Sequence, residues 1–133
     1  MTPAESGPMR WAAARCAGVV VAVKLALVVW GFPRTLRAIE WSVRGSRRSG
    51  APSAAMLDSV ARGVVTAAVF CPGRVECLEQ SLALYWILRR RGVPADLVFG
   101  VQTMPFGAHA WVEYRGEPIN EERERLRQYA VFT

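Results

Sequence analysis

Residues 77–91, CLEQSLALYWILRRR, constrain the fold more than any other part of the chain. They read as a helix. Leu78, Leu82, Tyr85 and Ile87 lie among further apolar residues, so most of the circumference must be buried. Such a helix needs partners on several sides and belongs in the middle of a domain. Arg89, Arg90 and Arg91 close it and suit the negative end of the helix dipole. Gly92 stops it, with Pro94 just beyond.

The pattern then changes period. Leu97 to Val101 reads as a strand, and Thr103 to Gly107 as a loop. Ala108 to Tyr114 reads as a second strand, with His109, Trp111 and Glu113 on one face and Ala110, Val112 and Tyr114 on the other. Arg115-Gly116 marks a hairpin turn, and Glu117 to Glu121 returns as a third strand. A charged run and a short apolar tail close the sequence. Upstream, residues 1–9 read as a loose tail and residues 10–30 as one apolar helix, broken by Gly31-Phe32-Pro33. A shorter helix follows from Arg34 to Arg44. Ser53 is the expected N-cap of a third, running to about Phe70. Helices followed by a meander of strands predict an α+β fold, with a central helix packed on a small antiparallel sheet. The linker GSRRSGAP, residues 45–52, separates an apolar, arginine-rich helical segment (1–52) from the core (53–133), and the two are expected to form one compact unit.

At 133 residues the chain suffices for one domain with one modest core. Its net charge is +6, carried almost wholly by scattered arginines, with Lys24 the one lysine. Neither a nucleic-acid module nor an aromatic platform accompanies that charge, so no nucleic-acid partner is expected. The three cysteines, Cys16, Cys71 and Cys77, are odd in number, which fits a reducing, cytoplasmic setting. With one histidine in the chain, neither a zinc site nor another cofactor is expected. The apolar run from Ala17 to Phe32 is interrupted by Lys24 and falls short of the roughly 20 residues a bilayer needs. It is expected to be a buried or partner-packed helix, with peripheral membrane contact through residues 17–32 as the alternative.

Three residues stand out for their chemistry. Cys77 lies at a helix start, where unpaired N–H groups favour a thiolate. His109 lies on a strand between two alanines that leave room around it. The hairpin register selects a third member. A three-residue loop, Tyr114-Arg115-Gly116, places Glu113 opposite Glu117, Trp111 opposite Ile119 and His109 opposite Glu121, where a carboxylate can orient the imidazole. A two-residue loop, Arg115-Gly116, shifts the register and brings Asn120 to the histidine face instead. The three-residue loop, and so Glu121, is the expected arrangement. A thiol, a base and an orienting group together perform acyl transfer without a metal. The Cys77 N–H supplies one oxyanion donor, and the sequence leaves the second unidentified.

The segment CLEQSLALYWILRRRGVPADLVFGV, followed by PFGAHAWVEYRGEPINE, resembles the leader peptidases of lasso peptide biosynthesis. The resemblance runs from about Cys71 to Glu121. It implies a transglutaminase-like or papain-like cysteine protease core with Cys77 as nucleophile, His109 as base and Glu121 as the acidic member. Gln80 stands where many members carry arginine. Trp111 and Phe106 are candidate substrate contacts. The activity implied is removal of the leader from a ribosomally made precursor peptide, which exposes the amine that a separate ATP-dependent cyclase then joins to a side chain. Residues 1–60 show no leader-recognition domain, so a separate leader-recognition protein is the expected partner, with the cyclase as a second candidate. An acyltransferase using the same triad and a non-catalytic scaffold of a maturation complex are the rival readings.

Overall fold

The computed structural model describes residues 3–44, 52–70, 77–103, 106–119, 123–127 and 129–132. Four helices precede the sheet: α1 (Pro3–Trp30), α2 (Phe32–Ser42), α3 (Ala54–Phe70) and α4 (Cys77–Arg90). They are followed by β1 (Asp96–Thr103), β2 (Phe106–Tyr114), β3 (Glu117–Pro118), the single turn α5 (Arg123–Leu126) and β4 (Ala130–Phe132). The fold is α+β, as the sequence predicts.

Local chemistry explains most boundaries. Gly31 takes φ 80°, a left-handed conformation that suits glycine, and turns the chain between α1 and α2. Ser53 caps α3, its Oγ accepting the Met56 N–H at 3.1 Å. Gly92 follows α4 at φ 81°, and the Val93 N–H closes back on the Leu88 carbonyl at 2.9 Å. The expected loose tail at residues 1–9 is instead helical from Pro3, a residue whose fixed φ suits a first helical position. Most of the linker at 45–52 lies outside the described residues.

α4 occupies the centre. Leu82, Ala83, Leu84 and Leu88 are fully buried. They share one cluster with Cys16, Val20 and Val23 of α1, Ile39 of α2, Val60, Val64 and Ala67 of α3, and Val112 of β2. One core therefore joins the helical segment to the sheet. α2 adds two specific contacts: the Trp86 indole N–H donates to Ser42 Oγ at 3.1 Å, and Phe32 meets Phe99 edge to face at 5.4 Å.

The sheet order is β3-β2-β1-β4, all antiparallel. In β1–β2, Leu97 faces Val112, Phe99 faces Ala110 and Gly100 faces His109. Because side chains alternate, the Leu97, Phe99, Ala110 and Val112 face meets the helices, and the Gly100, His109 and Trp111 face points away from them.

Two features correct the sequence reading. The β2–β3 turn has two residues, not three: Tyr114 pairs with Glu117 and Glu113 with Pro118. Arg115 at φ 52° and Gly116 at φ 79° make a type I′ turn. The three-residue loop assumed that only the glycine goes left-handed. Here Arg115 does too, with its guanidinium carbon 5.4 Å above the Tyr114 ring, a cation–π contact that offsets the backbone cost. The second correction is β4. The terminal tail, read only as apolar, pairs with β1 through Phe99–Phe132, Gly100–Val131 and Val101–Ala130.

A buried polar contact ties α4 to β2. Ser81, fully buried, donates from Oγ to the Ala110 carbonyl at 2.9 Å. Replacing it leaves that carbonyl without this donor in an apolar setting. Ser81→Ala is expected to cost about 1–3 kcal/mol, read as a lower urea midpoint at unchanged slope.

Candidate active site

α4 begins at Cys77, which puts this residue at the positive end of the helix. Its side chain lies outside the described residues. The helix leads from there towards Gly92 and the start of β1, where Asp96 pairs with Glu113. Ser81 touches Ala110, further back along β2. Cys77 lies one turn before Ser81, roughly 6 Å back along the helix axis.

The imidazole leaves β2 on the face away from α4. It is half-buried in a cluster of three rings. Trp111 stacks on it at 5.8 Å and 28°, and Tyr129 at 5.4 Å and 29°, while Trp111 and Tyr129 lie 6.2 Å apart. The Trp111 indole N–H donates to Glu113 Oε2 at 2.8 Å, so the His109, Trp111 and Glu113 face read from the sequence is tied together by ring contact and a charge-assisted bond. On the β3 side, the last described backbone bond is the Ile119 N–H to the Val112 carbonyl at 2.8 Å. Beside His109, β2 is flanked by β1 on one side and by no described strand on the other.

Trp111 is 1% exposed and stacks on the imidazole, so it presents little surface to a substrate. The Phe106 side chain, Asn120 and Glu121 lie outside the described residues. The register that set Glu121 opposite His109 is replaced by the two-residue turn. Gln80 is half-buried one turn into α4, beside buried Ser81. Among the described residues, no three His, Cys, Asp or Glu side chains cluster to hold a metal ion.

Tyr129 was missed in the sequence. Its signal is the alternation of Tyr129, Ala130, Val131 and Phe132, too short to read as a strand until β1 supplies a partner.

Cys16 contrasts with Cys77. It is buried between α1 and α3, and burial pushes its thiol pKa up, with Arg91 opposing. That environment keeps a thiol neutral and inert. The raised value also sets a sign for stability. Below about pH 9.0 the thiol is protonated folded or unfolded; as pH rises past it, the unfolded chain ionises first and stability falls.

Residues 19–133 match the family profile described as Transglutaminase-like superfamily. The chain belongs to that family. It is also similar to the Microcin J25-processing protein McjB of Escherichia coli, with 50% identity over 46 residues. That match covers 35% of this chain and 22% of the relative. No solved structure matches the chain.

The ring cluster rests on Gly100. A Cβ there would lie 2.8 Å from Tyr129 Cβ and 2.9 Å from Trp111 Cη2, whereas one at Gly107 would meet nothing closer than Gln102 Nε2 at 3.4 Å. Gly100→Ala is expected to destabilise by about 1–3 kcal/mol and to change the near-ultraviolet circular dichroism of the aromatic cluster. Gly107→Ala should do neither.

Proposed function

We propose that the chain is a cysteine peptidase that removes the leader from a lasso-type precursor peptide, with Cys77 as nucleophile and His109 as base. The observation that carries this reading is that Cys77 opens α4, the helix whose Ser81 bonds to β2, the strand that bears His109. Membership of the transglutaminase-like family and the local identity to a microcin-processing protein support the same assignment.

In this mechanism the Cys77 thiol gives its proton to the imidazole and the thiolate attacks the scissile carbonyl. The helix-start N–H of Cys77 receives the oxyanion. The imidazolium protonates the leaving amine, and water then hydrolyses the thioester. The imidazole leaves β2 on the face away from α4, so this chemistry requires thiol and imidazole to meet at an edge of the strand. Trp111 and Tyr129 act as positioning residues by restricting rotation of the ring. The orienting group is Glu121 on the family pattern. The two-residue turn favours Asn120, the alternative that the sequence leaves open. The precursor is presented by a separate leader-recognition protein, and the exposed amine passes to a cyclase.

The test is to incubate the full chain with precursor and recognition protein and to weigh the products. Leader and core masses should appear, with one water added across the cut bond. Cys77→Ala and His109→Ala should each lower the rate by roughly 10³-fold or more. Separate Glu121→Gln and Asn120→Ala variants identify the orienting residue by which one slows cleavage. Cleavage at the wild-type rate by Cys77→Ala would end the proposal, and transfer to an amine in place of water would make the chain an acyltransferase.

A further inference from the structure

From Gly18 onward the fully exposed positions of α1 carry no charged or polar side chain. Its exposed positions from Gly18 onward are Gly18, Val21, Ala22, Leu25, Val28, Val29 and Trp30. Val21, Leu25, Val28 and Val29 follow the i, i+4, i+7, i+8 spacing of one helical stripe, with Leu25 60%, Val28 78% and Val29 72% exposed. The opposite stripe, Cys16, Val20 and Val23, is buried in the core. A helix packed on a domain ordinarily turns charges outward, and a contiguous apolar surface marks a contact site.

Charge indicates what covers it. Between Glu5 and Glu40 the sequence has no acidic residue and five basic ones, Arg10, Arg15, Lys24, Arg34 and Arg37. Lys24 borders the stripe on one side. On the other, Val19 and Ala22 line a groove of about 670 Å³ whose exposed guanidinium groups are Arg15, Arg90 and Arg91. Trp30 ends the stripe at 55% exposure, and Arg34 and Arg37 follow on the exposed side of α2. An apolar strip between cationic borders, ending in tryptophan, has the layout of a helix lying in a membrane interface. Among the described residues no helix is long and apolar enough to cross a membrane.

We infer that the outer face of α1 docks on an anionic lipid bilayer, with Val21, Leu25, Val28 and Val29 entering the acyl boundary and the flanking arginines meeting lipid phosphates. This inference does not depend on the peptidase assignment. Its energetics combine apolar burial with attraction of the basic residues to the anionic surface, the latter screened by salt.

The experiment is flotation of the full chain with vesicles of phosphatidylglycerol and phosphatidylcholine, against vesicles of phosphatidylcholine only. The expected result is flotation with the anionic vesicles, weakened at high salt, and little with the neutral ones. The double variant Leu25→Glu/Val28→Glu should lower partitioning by about tenfold or more while keeping its helical circular dichroism. Should that pair not fold, the single Val28→Ser change supplies the reading, with an expected loss of several-fold. Wild-type protein that stays with the unbound fraction overturns the inference. So does flotation unaffected by these substitutions. Sedimentation as a dimer that Leu25→Glu/Val28→Glu dissociates, without vesicle binding, would assign the face to a second copy instead.

Discussion

The docking of α4 on β2 is the constraint from which the rest of the structure follows. A helix apolar over most of its surface has to be enclosed, and here α1, α2, α3 and the sheet enclose it. Apolar packing is weakly directional: the side chains of Leu82, Leu84 and Leu88 could be accommodated in several helix rotations. The Ser81 hydroxyl is directional. Buried without its acceptor it carries a desolvation penalty, so its bond to the Ala110 carbonyl selects one rotation and one level along the strand. That choice fixes α4 against the strand that bears His109.

The two faces of β2 divide the labour. Ala110 and Val112 present small and branched side chains to the helices and allow close approach. His109, Trp111 and Glu113 form a separate layer on the far side, closed over by Tyr129. Gly100 makes that layer possible, since any side chain there would displace the indole and the tyrosine. The imidazole is thereby held in plane by two rings while one edge of its strand has no described neighbour.

Much of this was legible in the sequence, for physical reasons. α4 carries its own start, stop and burial signals within sixteen residues. β2 alternates cleanly because its faces meet different surroundings. The turn register was not legible, because a left-handed arginine is atypical and depends on the Tyr114 ring beneath it. β4 was hidden because three residues have no secondary structure without β1. The α1 outer face was hidden for a different reason: a run apolar all round does not reveal which side the domain covers. Of the candidate site, the residue types and the His109 face were readable, but Tyr129, contributed from just before the last strand, was not.

The account rests on a thiol and an imidazole acting as one unit. The most direct measurement is the pH dependence of Cys77 alkylation by iodoacetamide, followed by mass spectrometry of the peptide that contains it, in a Cys71→Ser background. The account predicts thiolate reactivity persisting well below the free-thiol range of about 8.5, and a profile that moves up towards that range in His109→Ala. An ordinary free-thiol profile in both proteins, indifferent to loss of the histidine, would contradict it.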